Sequence, residues 1–201
     1  LSECPNVYSY IPLNISTRIN SFLEIDFDLD GLNDFILSAY SLDSLNITSL
    51  FFKKNNSGLF VITQFETELN SIQTNLFLKS YDINNDNKID ILQSSQQGLL
   101  CYINQGNGLF NSPILITNES VQDFYLSDIN GDGNVDLLFS SDCCSGFVVN
   151  ICWGNGSIEF SSSEFIFNTE FGSGFNLQDF DLDGDPDLLI SRIYLTDNES
   201  I

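Results

Sequence analysis

An all-β architecture of repeated four-stranded antiparallel blades is predicted by three observations. A nine-residue acidic loop occurs four times at near-even spacing, short apolar runs bounded by turn residues flank every copy, and an Asn/Gly turn follows each of the first three. Helical periodicity is weak throughout.

The loops begin at Asp26, Asp82, Asp128 and Asp179, which lie 56, 46 and 51 residues apart, and all fit D-x-[DN]-x-D-[GN]-x-x-D. Four residues before each loop stands a large apolar residue: Phe22, Leu78, Phe124 and Phe175. Immediately after come Phe35-Ile36-Leu37, Ile91-Leu92, Leu137-Leu138-Phe139 and Leu188-Leu189-Ile190, short runs that read as buried strands. A second turn follows at Asn55-Asn56-Ser57-Gly58, Gly106-Asn107-Gly108 and Gly154-Asn155-Gly156, each leading into an aromatic, Phe60, Phe110 and Phe160. Asn-Gly pairs between strand-like runs signal hairpins, because both residues accept a positive φ.

One repeat is therefore strand, acidic loop, strand, turn, strand, Asn/Gly turn, strand. Four strands in about fifty residues is the size of a β-propeller blade. The predicted division is a leader at 1–20, blades at 21–70, 71–119 and 120–169, and a partial blade at 170–201. In the leader, Val7-Tyr8-Ser9-Tyr10-Ile11 alternates like a strand and is the candidate closing strand. About three and a half blades leave open sheet edges, which template pairing with other chains. The expectation is a piece of a larger propeller, or a chain completed by its neighbours; a repeating head-to-tail contact would give a ring or a filament.

The loops carry fifteen of the twenty-eight acidic residues. Carboxylates this close repel one another in a compact state, and a hard cation removes the objection. Ca2+ takes six to eight oxygen ligands, and alternate spacing round a tight turn aims positions 1, 3 and 5 at one centre. Glycine at position 6 permits the bend. A metal-free acidic turn is the competing reading, and it is strongest for the second loop.

At these residues the chain resembles the FG-GAP/VCBS repeat family, the calcium-loop blades of integrin alpha-chain-like β-propellers, over nearly everything after the leader. The resemblance implies up to four Ca2+ ions, each held between the first two strands of a blade. By position, the side-chain ligands would be Asp26, Asp28, Asp30 and Asp34, then Asp82, Asn84, Asp86 and Asp90. Asp128, Asn130, Asp132 and Asp136 would serve the third loop, and Asp179, Asp181, Asp183 and Asp187 the fourth. Leu32, Lys88, Asn134 and Asp185 would offer the position-7 backbone carbonyls. Two departures stand out in the second loop. Asn87 replaces glycine, which asparagine tolerates, and Lys88 lowers the loop's negative charge, so that site is expected to be weakest. Propellers of this family usually close with about seven blades. An EF-hand would need an acid at position 12 and helical flanks; position 12 is Leu37, Gln93, Phe139 and Ile190.

Composition narrows the function. The 201 residues carry a formal charge of −22, from six Lys and Arg against twenty-eight Asp and Glu, and 42% are hydrophobic. This globular, acidic surface repels nucleic acid and anionic lipid, and no apolar run reaches the ~18 residues of a membrane span. Four bound Ca2+ would bring the formal charge from −22 to −14. Histidine is absent, which removes Ser-His-Asp and Cys-His catalysis. The five cysteines lack C-x-x-C spacing, and with the acidity they point to an oxidising, extracellular setting. Cys144 and Cys152 flank a short hairpin and are candidates for a local disulfide, with Cys143 an alternative partner. Cys4 is the candidate for a longer tie, and Cys101, in an apolar strand, is expected to be buried and inert. N-glycosylation candidates are Asn14, Asn46, Asn55, Asn118, Asn155 and Asn198. Trp153 is expected to pack within a blade.

The expected function is an extracellular, calcium-stabilised propeller without catalysis, in a structural, adhesive or self-assembly role toward protein partners or itself. The alternative is a carbohydrate-binding module, or an accessory part of a polysaccharide-acting enzyme. Glu24, Glu119, Glu159 and Glu164 are at hand for glycoside chemistry, but nothing in the sequence brings two of them together.

Overall fold

A computed structural model describes residues 17–41, 47–54, 60–66, 77–95, 98–143, 146–170 and 172–192. The segment Val7–Ile11, the turn 55–58, Cys4, Cys144, Asn14, Asn46, Asn55 and Asn198 lie outside them. The hairpin around the first acidic loop sets the pattern. β1 (Thr17–Ile25) and β2 (Asp34–Ser41) flank that loop, and β3 (Ile47–Lys54) and β4 (Phe60–Glu66) extend the antiparallel meander to β1-β2-β3-β4.

The second blade repeats this with β5 (Leu78–Tyr81), β6 (Asp90–Ser95) and β7 (Gly98–Tyr102). A small ribbon, β8 (Asn104–Gly106) with β9 (Leu109–Phe110), precedes β10 (Ile114–Thr117), which completes the sheet against β7. The ribbon turns at Asn107 and Gly108, both at positive φ (55° and 72°), the geometry that the Asn-Gly pair favours. The third blade is β11 (Asp123–Ser127), β12 (Asp136–Cys143), β13 (Gly146–Cys152) and β14 (Glu164–Glu170). In the fourth, β15 (Gly172–Gln178) pairs with β16 (Asp187–Arg192). Among the described residues there is no helix and no closed barrel, and the fold is all-β with propeller-type blades.

Register is the same round all four loops. The residue four before the loop faces the third residue after it: Phe22 opposite Leu37, Leu78 opposite Gln93, Phe124 opposite Phe139, Phe175 opposite Ile190. A slip of one residue would turn every apolar side chain to the other face.

The core lies between blades. Phe27 and Ile36 of the first blade pack with Leu78, Ile91 and Tyr102 of the second. Leu92, Leu99 and Cys101 of the second pack with Phe124, Leu137 and Phe139 of the third. Leu138, Val149 and Ile151 of the third close on Phe175. In the two middle blades, strands buried on both faces explain the continuous apolar runs after the loop, whereas in the fourth run Leu189 is 57% exposed and the expected burial is incomplete. Polar ties cross the same junctions. Leu78 N–H donates to Ser21 Oγ (3.2 Å), Asn104 Nδ2 to the Phe27 carbonyl (2.7 Å), and Tyr125 Oη to the Phe175 carbonyl (3.3 Å). Lys79 Nζ reaches Asp123 Oδ1 (2.8 Å) and the Phe124 carbonyl, and sits over the Tyr125 ring.

Phe22 is 62% exposed, unlike its buried counterparts Leu78, Phe124 and Phe175. One expectation about the cysteines changes. Cys152 is a free, buried thiol, so it does not join Cys144. Register supplies the reason: Cys152 pairs with Leu137 while Gly146, next to the turn, pairs with Cys143. The strand between them spans roughly 20 Å at the usual rise, far beyond a disulfide's reach of about 7 Å between Cα atoms. Cys101 is also free and buried, as expected, and burial pushes the thiols up to about 12 for Cys101 and about 11 for Cys152. Trp153 is half-buried against the third core cluster.

Candidate metal centres

The four acidic loops share one hydrogen-bond scheme, and it follows from their sequence. Short carboxylate and amide side chains bond backbone N–H groups two to five residues on, which folds the chain into consecutive Asx turns. The position-5 N–H donates to both the position-1 and the position-3 oxygens: Asp30 to Asp26 and Asp28, Asp86 to Asp82 and Asn84, Asp132 to Asp128 and Asn130, Asp183 to Asp179 and Asp181. The position-6 N–H donates to the other oxygen of position 1 at 2.8–3.0 Å. The position-7 N–H groups of Leu32, Lys88, Asn134 and Asp185 donate to the position-5 carboxylate at 2.8–3.0 Å.

This path requires a left-handed backbone at positions 4 and 6. Position 6 is Gly31, Asn87, Gly133 and Gly184, all at positive φ, so Asn87 does adopt the conformation that glycine adopts elsewhere. Position 4 is Leu29 (φ 60°), Asn85 (57°), Gly131 (73°) and Leu182 (63°). A leucine held there costs about 1 kcal/mol, and Leu182, 86% exposed, gains little burial in return. Leu182→Asn, the choice the second loop makes at Asn85, is expected to raise stability by about 1 kcal/mol, read as an upward shift of the urea midpoint. A lowered midpoint would count against the strain.

Position 9 has a second role. Asp34, Asp90 and Asp136 are fully buried, and Asp187 half-buried. Each accepts the position-2 N–H through Oδ2: Phe27 to Asp34 (3.2 Å), Ile83 to Asp90 (3.1 Å), Ile129 to Asp136 (2.9 Å), Phe180 to Asp187 (2.9 Å). In the middle blades the other oxygen accepts an N–H from the chain after the third strand, Asn104 to Asp90 (2.8 Å) and Gly154 to Asp136 (2.9 Å). These carboxylates lock loop, sheet and turn together. Gly154 is required there, because a Cβ would lie 1.9 Å from the Val135 carbonyl oxygen. Burial pushes the Asp90 carboxyl up to about 6, against the pull of the two N–H groups from Asn104 and Ile83.

The donor set suits a hard divalent cation. One oxygen from each of Asp26, Asp28 and Asp34, and from each of Asp179, Asp181 and Asp183, lies within 4.8 Å of its companions. An ion with bonds of about 2.4 Å reaches oxygens up to about 4.8 Å apart. Each oxygen also keeps a lone pair beyond the one an N–H engages, so the turns orient the carboxylates without using them up. In the middle loops Asn84 and Asn130 replace the central carboxylate. Lys88 Nζ bonds Asp86 Oδ2 at 2.8 Å and holds that carboxyl below its usual range, so a built-in cation already meets part of the second loop's charge. In the third loop, the backbone N–H of Asn134 holds the Asp132 carboxyl below its usual range.

Asn118 and Asn155 are exposed; Asn155 Oδ1 accepts from Ser157 N–H (3.0 Å) and Ser157 Oγ (2.6 Å). Between the third and fourth blades, Tyr125, Asp128, Leu177, Asp179 and Pro186 line an open cleft of about 310 Å³. The sequence reading missed Asn104, whose buried amide also donates to the Ile89 carbonyl (3.1 Å). Nothing in its own neighbourhood of the chain signals that role.

Antiparallel blades packed face to face, each opened by the same acidic Asx-turn loop, define a repeat protein of the β-propeller type. The chain belongs to the FG-GAP-like repeat family, which matches residues 82–139 and again 128–190, together more than half of its length. No curated protein sequence matches it. Among solved structures it is similar to an Agrocybe aegerita lectin described by its specific recognition of non-reducing terminal N-acetylglucosamine. The TM-score is 0.53 at 15% identity, over 86% of this chain and 61% of that one. It is also similar to the Photorhabdus luminescens Tc holotoxin pore, with a TM-score of 0.40 at 15% identity, over 85% of this chain and 10% of that one. The chain thus spans less than two thirds of either solved chain.

Proposed function

We propose that this chain is a calcium-stabilised propeller scaffold outside the cell, with a structural, adhesive or self-assembly role and no catalysis of its own. The observation that supports this reading is the single hydrogen-bond scheme of the four loops, with carboxylate oxygens gathered within 4.8 Å of one another in the first and fourth, without histidine or cysteine. Extracellular modules bind Ca2+ at about 10⁻⁴–10⁻³ M, and an acidic chain with cysteines suits that compartment. Each ion would brace the hairpin between a blade's first two strands and relieve the charge of −22.

Isothermal titration with CaCl₂ tests this. Saturable uptake is expected, with the second loop weakest; Lys88→Ala is expected to strengthen that loop severalfold by removing the competing cation. Absence of calcium uptake would sink the reading. A second reading, glycan binding, draws on the fold shared with the lectin and on the cleft between the third and fourth blades. A glycan array with no signal above background would dismiss it.

A further inference from the structure

Between the first and second blades, three polar side chains face an otherwise apolar seam. Phe27, Ile36, Leu78, Ile91 and Tyr102 form its apolar part. Alternation along the strand puts Ser38 on the same face as Ile36, turned toward the second blade. Ser21 is the register partner of Ser38, and its Oγ accepts the Leu78 N–H of the second blade at 3.2 Å. Gln93 is the register partner of Leu78, so it shares the face that Leu78 turns to the first blade. Ser21, Ser38 and Gln93 thus converge on one seam from its two sides.

Two of the three are fully buried with hydrogen-bonding capacity unused. Ser38 and Gln93 are 0% exposed, and neither Ser38 Oγ nor Gln93 Nε2 has a partner among the described residues. The other end of the Gln93 amide is engaged, because Oε1 accepts the Tyr102 hydroxyl at 3.2 Å. Turning the amide over would exchange its ends and still leave one of them idle. Ser21 Oγ gives one lone pair to Leu78 and keeps its proton to donate.

The other blades lack this combination. Loop position 12 is Leu37, Phe139 and Ile190 elsewhere, and an amide only at Gln93. Position 13 is serine in all four: Ser38, Ser94, Ser140 and Ser191. Three of these bond across to the blade's first strand. Ser94 Oγ accepts Phe77 N–H (3.0 Å), Ser140 Oγ accepts Asp123 N–H (3.2 Å), and Ser191 Oγ donates to the Gly174 carbonyl (3.0 Å). Ser38 makes no such bond among the described residues. Buried polar groups are satisfied by protein or by ordered water, and here the protein supplies no partner on either side of the seam.

We propose that an ordered water sealed in this seam joins the first two blades. It accepts Gln93 Nε2–H and Ser21 Oγ–H and donates to Ser38 Oγ, which gives the three hydrogen bonds usual for a buried water. The site is independent of the calcium reading, since all three residues lie outside the nine-residue loops.

A high-resolution crystal structure of the full chain and oxygen-17 relaxation dispersion of its water test the site. The map is expected to hold a peak within hydrogen-bonding distance of both Ser38 Oγ and Gln93 Nε2. Relaxation dispersion is expected to count one long-lived water fewer per chain in Gln93→Leu, which brings in the residue type of Leu37. Ser38→Val fills the same gap from the other blade and takes the place of Gln93→Leu if that variant does not melt cooperatively. A direct Ser38–Gln93 hydrogen bond in the map, an empty seam, or an equal water count in wild type and folded variant would overturn the proposal.

Discussion

Chelating calcium is expected to lower the melting temperature of this protein by roughly 10 °C. At a free concentration tenfold above its Kd, an ion bound only by the folded state adds about 1.4 kcal/mol. Three loops of that strength, with the Lys88-bearing loop left out, add about 4 kcal/mol, and 1 kcal/mol moves the midpoint of a chain this size by about 2–4 °C. The charge argument gives the same sign, because removing the ions restores the repulsion among fifteen loop carboxylates. Differential scanning calorimetry with EGTA against millimolar CaCl₂ reads the effect. Coincident melts would show that the loops stand on their Asx turns alone. Magnesium should replace calcium poorly, since it demands tighter octahedral geometry and gives up water reluctantly.

Asp136→Ala is expected to be the most damaging single substitution, costing about 4 kcal/mol from two orphaned backbone donors at roughly 1–3 kcal/mol each plus a small cavity. Its carboxylate is fully buried and accepts Ile129 N–H and Gly154 N–H, both at 2.9 Å. Urea unfolding in EGTA isolates this structural role from any metal contribution. Asp136→Asn keeps one acceptor and should fall between the two. Asp185→Ala, at an exposed loop position, should change the midpoint little under the same conditions. A loss below about 1 kcal/mol for Asp136→Ala would mean that water or a shifted turn satisfies the two donors.

The acidic loops could be read from the chain because they are local. Nine consecutive residues contain every carboxylate that the turns organise, and position-1 to position-7 hydrogen bonds span five residues at most. Alternation of Asp with apolar residues, glycine or asparagine at position 6, and apolar runs on both sides are all visible without coordinates. The double role of position 9 is not local: Asp90 meets Asn104 and Asp136 meets Gly154, 14 and 18 residues further on. Spacing marks these aspartates as candidate ligands, and only the packed blade shows them bracing the turn after the third strand.

Burial divides in the same way. Alternation along each strand determines which side chains share a face, and that much is written in the residues. Whether a face is covered depends on the neighbouring blade. Phe27 and Phe180 share an identical hexapeptide and differ from 1% to 49% exposure, and Phe22 lies open where Phe124 is sealed. Cys152 is a further case, since a hairpin's length and register, not the proximity of two cysteines in the chain, set the distance between sulfurs. The residues alone determined a repeat of acidic hairpins in an all-β chain, because turn chemistry and strand alternation act within a few residues. Tertiary structure decided which carboxylates brace the fold and which apolar faces remain open, because both depend on groups brought together from different blades.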